Sequence, residues 1–170
     1  MKECKFVSII MGSKSDYDVV NEAVKVLEKF GVAYELIVSS AHRSPERTAK
    51  YIKEAEAKGA QVFICAAGMA AHLAGVVCSK TLKPVLGIPV GGGALNGVDA
   101  LYSTVQMPGG MPVGTLAIGK AGAKNAAYLA VQILSLSNLE LASKLKEDRE
   151  AMVRAVEEDS AKIEVLIKGE

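Results

Sequence analysis

A chain of 170 residues, half of them hydrophobic, is long enough to bury a substantial core and close to the usual size of one domain. Its 20 basic and 19 acidic residues leave a formal net charge of +1 spread along the chain, which excludes the electrostatic footprint of a nucleic-acid or anionic-membrane partner and leaves room for a small, locally held anion. Three cysteines, Cys4, Cys65 and Cys78, lack CxxC or Cys/His spacing, which excludes a disulfide framework and a zinc site and suits a reducing compartment.

Met1 to Lys5 run straight into an apolar strand without the pattern of a secretory leader. Later apolar stretches are broken by Gly, Pro, Lys or His well before the roughly 20 residues of a membrane helix, so a soluble, cytoplasmic protein is expected. Phe6 to Met11 is a short apolar run suited to a strand buried on both faces. From Tyr17 to Phe30, Val20, Ala23, Val24 and Leu27 recur at helical spacing, with Asp16 near the start and Gly31 just past the end. Tyr34 to Val38 reads as a second strand, and Pro45 to Lys58 as a helix opened by Pro and closed by Gly59. A third strand is predicted over Val62 to Ala66 and a helix from about Ala70 to Lys80, with Cys65 and Cys78 expected to be buried as small hydrophobes. Strand four follows at Pro84 to Pro89, then a flexible Gly91-Gly92-Gly93, a helix around Val98 to Val105, a Pro/Gly loop from Met107 to Pro112 and a fifth strand over Val113 to Ile118. Ala123 to Leu136 is alanine-rich with little charge, which predicts a helix buried almost all round. A strongly charged helix from Leu139 to about Ile167 completes the chain, so the expectation is one domain over residues 1–170, with 137–170 as a helical extension.

Strands alternating with helices of this length imply right-handed βαβ crossovers and a parallel sheet covered on both faces. The fold class expected is a three-layer α/β sandwich with a doubly wound parallel sheet, flavodoxin-like or Rossmann-like, where ligands bind at the carboxyl ends of the strands.

Three of those strand-end loops carry candidate chemistry. Gly12-Ser13-Lys14-Ser15-Asp16 joins strand one to a helix start, so its amides and hydroxyls face the positive end of a helix dipole and suit an anion; Ser15 or Asp16 also serves simply as a helix cap. The segment matches neither the P-loop nor the GxGxxG pattern. Ser40-Ala41-His42-Arg43 occupies the equivalent place after strand two. Arg43 supplies a forked, permanently charged donor suited to phosphate, and a histidine such as His42 can take up or give up a proton near neutral pH. After strand three, Ala66-Ala67-Gly68-Met69-Ala70-Ala71-His72-Leu73-Ala74-Gly75 offers small residues that a ligand can approach closely, with His72 open between a structural and a site role. Gln106 to Pro112 is open between a lid and a rigid loop.

Taken together, Met11 to Asp16, Ser40 to Arg43, Ala70 to Leu73, Pro84 to Val90, Gln106 to Pro108 and Pro112 to Gly119 resemble the PurE family of purine biosynthesis, over about Phe6 to Leu136. Arg43 after His42, with Ala70-Ala71-His72-Leu73 downstream, resembles the branch of that family acting on N5-carboxyaminoimidazole ribonucleotide; the other branch typically has Lys after the His and a Ser-Asn pair later. The resemblance implies transfer of the carboxylate from N5 to C4 of the imidazole, with no ATP, metal or organic cofactor, in a homo-octamer acting on a small ribonucleotide.

By the same resemblance Ser13 and Asp16 bind substrate, with Asp16 accepting from ribose hydroxyls, and Arg43 holds the phosphate beside Ser15, Ser40 and Ala41. Gly68, Ala70, Ala71, His72 and Leu73 would pack over the base and the migrating carboxylate, and His42 would be acid and then base. The chain departs from the family at Met69 and Ala66, where Gly is usual, and at Ala74, where Pro is usual. Two other readings stand beside this one. The first is direct carboxylation of aminoimidazole ribonucleotide by free carbon dioxide. The second is a non-catalytic flavodoxin-like carrier of a mononucleotide, for which a chain with no Trp and 5% aromatics is poor in rings to stack on a flavin.

Overall fold

The computed structural model describes residues 5–163. Its elements are β1 (Phe6–Met11), α1 (Tyr17–Phe30), β2 (Tyr34–Val38), α2 (Pro45–Lys58), β3 (Ala60–Gly68), α3 (Leu73–Cys78), β4 (Val85–Val90), α4 (Val98–Val105), β5 (Gly114–Thr115), α5 (Lys120–Ser135) and α6 (Leu139–Ile163). The prediction at Cys4 and the part of the last helix predicted beyond Ile163 lie outside the described residues. Contacts along the chain separate into two compact units, divided between Val131 and Gln132.

In the first unit the five strands form a parallel sheet of order β2-β1-β3-β4-β5. Each crossover is right-handed in this fold class, so winding outward in both directions from the β1/β3 boundary places helices on both faces of the sheet. β1 and β4 are buried along their whole length, as apolar runs without alternation require. One face is a core in which Phe6 and Ile10 of β1 and Phe63 and Cys65 of β3 meet Ile52 and Ala55 of α2 and Leu73, Ala74 and Val77 of α3. The alternate residues Val7 and Ile9 point to the opposite face.

Ser8, fully buried in β1, is satisfied by a chain of polar contacts: its hydroxyl is 2.9 Å from Tyr51 Oη, which donates to Glu35 Oε2 at 3.2 Å, and Lys58 Nζ donates to Glu35 Oε1 at 3.0 Å. Burial, with the Glu35 carboxylate nearby, pushes the Tyr51 hydroxyl up to about 12, so it stays a donor.

Helix ends fall where local chemistry places them. Gly31 (φ 68°) and Gly59 (φ 112°) adopt the left-handed conformation that closes α1 and α2, and Pro45 opens α2. Three expectations are corrected. β5 pairs only through Leu86 with Gly114 and Gly87 with Thr115, although the chain continues alongside β4 through Leu116 N–H to Gly87 O (2.9 Å) and Gly119 N–H to Pro89 O (2.8 Å). α3 is a short helix, because a turn through Met69 (φ 54°) precedes it and delays its start to Leu73. α5 buries Gly122, Ala123, Ala126, Ala127, Ala130 and Val131, but Lys120, Lys124 and Asn125 are exposed within this chain, so its burial is one-sided.

In the second unit, Asn138 Oδ1 accepts from the amides of Glu140 (3.1 Å) and Leu141 (3.2 Å) to start α6, and Glu140 pairs with Lys144 at 2.7 Å along the helix. Among the described residues no helix is long and apolar enough to cross a membrane.

Candidate active site

The carboxyl ends of β1, β2, β3 and β4 surround a cleft of about 670 Å³, at the boundary where the winding of the sheet reverses. Its walls come from four loops: Gly12, Ser13, Ser15 and Asp16 after β1; Ser40, Ala41, His42 and Arg43 after β2; Ala67 to Ala70, His72 and Leu73 at the end of β3; and Val90 to Gly93 at the end of β4. A larger cavity, about 1130 Å³, lies around Lys80 to Leu86 and Gly110 to Pro112 and contains none of the histidine or arginine side chains. The Pro/Gly loop contributes to that cavity and not to the cleft; Met107 packs so closely on Gly75 that a Cβ there would stand 3.3 Å from its sulfur.

The loop after β1 is a capping box closed on itself. Ser13 Oγ accepts from Ser15 N–H at 3.3 Å and from the Ser15 hydroxyl at 3.0 Å, while Asp16 Oδ2 accepts from Ser13 N–H at 3.0 Å, around a 3₁₀ turn (Lys14–Asp16) that leads into α1. Ser13 thus caps the 3₁₀ turn, while Asp16 stands at the N-cap position of α1, as expected, without a side-chain capping bond to that helix. Burial pushes the Asp16 carboxyl above the usual carboxylate range, opposed by the Ser13 amide, the Ser15 hydroxyl and the nearby Arg43 cation. A carboxylate held this way is a fixed acceptor with part of its capacity still facing the cleft.

The loop after β2 is pinned from below. Ser40 N–H donates to Ser44 Oγ (3.0 Å), whose hydroxyl returns to Ser40 O (3.1 Å); Arg43 N–H donates to Ser40 Oγ (3.1 Å). Thr48, buried in the first turn of α2, donates to Ser44 O at 3.1 Å and meets the buried Ser39 hydroxyl at 2.8 Å. This scaffold holds Arg43 so that its Nη2 reaches across to Gly12 O at 3.3 Å, joining the first two loops.

The two histidines, thirty residues apart in sequence, meet in the cleft. His42 Nε2 and His72 Nδ1 are 2.9 Å apart, with the rings edge to face at 79°. One hydrogen occupies that contact, so one ring donates and the other must present a lone pair. His72 stands just before α3, at its N-terminal boundary. The proton-handling group predicted from the second loop therefore has a partner supplied by the third.

Of the residues singled out in the sequence, Ser13, Ser15, Asp16, Ser40, Ala41, His42, Arg43, Gly68, Ala70, His72 and Leu73 all line the cleft. Ala71 does not; it is buried, with its carbonyl turned toward the Thr104 hydroxyl at 3.5 Å. Ala67, within the small-residue segment after β3, lines the cleft too; sequence reasoning missed the wall formed by Val90 and Gly91 to Gly93, for which the available signal was position, since those residues leave the carboxyl end of a central strand beside the reversal point. Gly68 is needed there: a Cβ would stand 3.0 Å from Val90 O, too close for the two strand ends to keep their spacing.

Cys65 and Cys78 are both buried, as expected, and burial pushes both thiols up, away from thiolate formation; Cys78 Sγ is 3.2 Å from Pro112 O. Among the described residues, no three or more of His, Cys, Asp and Glu are grouped as a metal site.

A doubly wound α/β sheet with a guanidinium, serine hydroxyls, a buried carboxylate and a histidine pair in a cleft at its reversal point defines an enzyme built for a small anionic ligand. Comparison with known proteins narrows this class. The model of the AIR carboxylase family matches residues 6–155, and the chain belongs to that family. It is 50% identical over 164 residues to the N5-carboxyaminoimidazole ribonucleotide mutase of Pyrococcus horikoshii, covering 96% of this chain and 92% of that one. It is 52% identical over 153 residues to the mutase of Escherichia coli K12, covering 90% of each. The crystal structure of Treponema denticola PurE superposes with a TM-score of 0.86 at 30% identity, over 95% of this chain and 99% of that one. The family named from the sequence motifs is the family found.

Proposed function

We propose that this chain is an N5-carboxyaminoimidazole ribonucleotide mutase, an isomerase of purine biosynthesis that moves a carboxylate from N5 to C4 of the imidazole to give 4-carboxy-5-aminoimidazole ribonucleotide. The observation that carries the reading is the convergence of His42, Arg43 and the Ser13–Asp16 box in one cleft, in a chain about half identical to curated mutases over nine-tenths of its length or more. Arg43 takes the phosphate with a charge-assisted fork, and Ser15 and Ser40 supply hydroxyl donors beside it. Asp16 accepts from the ribose hydroxyls, and the Gly68 to Leu73 loop packs over the base.

The chemistry then needs one proton moved each way. His42 donates a proton to N5 as the N5–carboxylate bond breaks, which releases carbon dioxide inside the cleft and leaves aminoimidazole ribonucleotide. The electron-rich C4 attacks the trapped carbon dioxide, and His42, now neutral, removes the C4 proton, so protons and carbon balance without a co-reactant. His72, 2.9 Å away, orients the ring that performs both transfers. We place the enzyme in the cytoplasm and, as in the family it resembles, in a homo-octamer.

The test supplies the two candidate substrates separately to purified protein. Conversion of the N5-carboxy compound without added bicarbonate is expected. Carboxylation of aminoimidazole ribonucleotide by bicarbonate, with the N5-carboxy compound left untouched, overturns the proposal in favour of a direct carboxylase.

A further inference from the structure

We propose that the Met69 side chain is the wall that retains the one-carbon unit in the cleft during transfer, an assignment that rests on the mutase reading above. Met69 holds φ at 54°, in the left-handed region where a β-carbon crowds the backbone. Asn96 is the other non-glycine residue in that region among the described residues, and asparagine visits it readily, whereas methionine does not. A glycine would make the same turn without strain. Retaining methionine there calls for a use of its side chain.

The position of that side chain supplies the use. Met69 lines the cleft, yet 62% of it is exposed, so a flexible apolar arm stands at the mouth and not in the core. A Cβ built on Gly93 would lie 3.8 Å from Met69 Cγ and 3.9 Å from Cε. The arm therefore lies across Gly93 and spans from the loop ending β3 to the loop ending β4. The facing segment, Gly91 to Gly93, has no side chains of its own, so without Met69 this side of the cleft is bare backbone.

Retention needs a wall of this kind. Carbon dioxide is small, neutral and apolar, so the cations and hydroxyls that hold the ribonucleotide give it no comparable grip; shape and exclusion of water are what keep it in place. A thioether arm with several rotatable bonds can cover the opening and still move aside for substrate and product.

The experiment uses N5-carboxyaminoimidazole ribonucleotide carrying 13C in its carboxylate, in buffer with excess unlabelled bicarbonate, and reads the 13C remaining in the product by mass spectrometry. The full-length wild-type protein and Met69→Leu are expected to retain the label. Met69→Gly, which accepts the backbone angle and so folds, and Met69→Ala, which keeps only the β-carbon, are expected to lose several-fold more label and to release free aminoimidazole ribonucleotide. Label retention in the Gly and Ala variants equal to wild type overturns the wall, as does leakage from Met69→Leu equal to that from Met69→Gly. A wild-type protein that leaves the labelled compound unconverted overturns the mutase reading instead, so the two failures are distinct.

Discussion

Replacing Thr48 by valine tests whether the loop bearing His42 and Arg43 is held in register by one buried hydroxyl. Thr48 is fully buried, and its Oγ1 sits 2.8 Å from Ser39 Oγ and 3.1 Å from Ser44 O. Because Thr48 donates to the Ser44 carbonyl, Ser39 donates to Thr48. Valine preserves the shape of threonine and removes only this acceptor and donor. Ser44 O keeps the Thr48 amide at 3.0 Å, so the group left stranded is the Ser39 hydroxyl, itself 2% exposed. An orphaned buried hydroxyl costs about 2 kcal/mol, which for a chain of this size lowers the melting temperature by about 6 °C. Loosening the Ser40 to Ser44 turn also displaces His42 and Arg43, and a shift well under an ångström is expected to lower kcat/KM by about tenfold. Calorimetry and steady-state kinetics on the same preparation read both effects. Adding Ser39→Ala to Thr48→Val removes the stranded partner and should recover part of the lost stability. If Thr48→Val melts and turns over like wild type, or if Ser39→Ala deepens the loss, the buried pair does not hold this loop.

His42→Ala is expected to reduce kcat by about 10² to 10⁴-fold while KM changes only a few-fold, since it removes proton transfer and leaves the phosphate and ribose contacts; comparable losses in both would assign His42 to binding. Arg43→Lys keeps the charge but loses the fork, so KM should rise about tenfold, with kcat little changed at saturation. Asp16→Asn should raise the melting temperature near pH 7 and weaken ribonucleotide binding. Burial raises the folded-state pKa of Asp16 above its value of 3.8 in a model peptide, so the folded state binds the proton more tightly and the buried charge is a cost above that folded pKa. The gain from asparagine is therefore largest at neutral pH and vanishes below about pH 3, where the carboxyl is protonated in both states; a gain independent of pH would refute the desolvation argument.

Elements bounded by strong local chemistry were legible in the sequence. α1, α2 and α4 occupy the predicted ranges, the first two because Gly31 and Gly59 could be recognised as left-handed stops and Pro45 as a first-turn residue. β5 was overextended because Val113 to Ile118 has the composition of a strand, while regular pairing with β4 is confined to Gly114 and Thr115 and beyond them the chain keeps only the single bonds from Leu116 and Gly119. α3 was overextended because small residues from Ala70 onward are permissive of helix, and no local signal marks the turn at Met69. In the site, the charged and titratable residues were visible because their chemistry is uncommon in a strand-end loop. Ala71 was grouped with its neighbours for the opposite reason, since alanine carries no chemistry to orient it; it is buried, while Ala70, His72 and Leu73 line the cleft. The contact between His42 and His72 spans thirty residues and depends on the ends of β2 and β3 lying on either side of β1, so topology and not pattern creates it.

Within the chain the polar groups of the cleft are already one another's partners: Asp16 with the Ser13 amide, Ser15 with Ser13, His42 with His72, and Arg43 with Gly12. Binding must then exchange bonds, and the geometry indicates which exchange is easiest. The Arg43 to Gly12 contact, at 3.3 Å and to a neutral carbonyl, is longer than a well-formed N–H···O bond, so a phosphate offering a short charge-assisted fork replaces it with net gain. The Asp16 bond to the Ser13 amide, at 3.0 Å, is local and fixes the cap, so it persists while the remaining carboxylate capacity meets the ribose. The histidine contact need not be exchanged: it occupies His42 Nε2 alone, so with that N–H donating to His72 Nδ1 the ring stays oriented while the proton given up and regained is carried on Nδ1 of His42. The phosphate and ribose can thus be held by groups that change partner once, on binding, while the ring that moves the proton is held throughout by a contact between the two loops that follow β2 and β3.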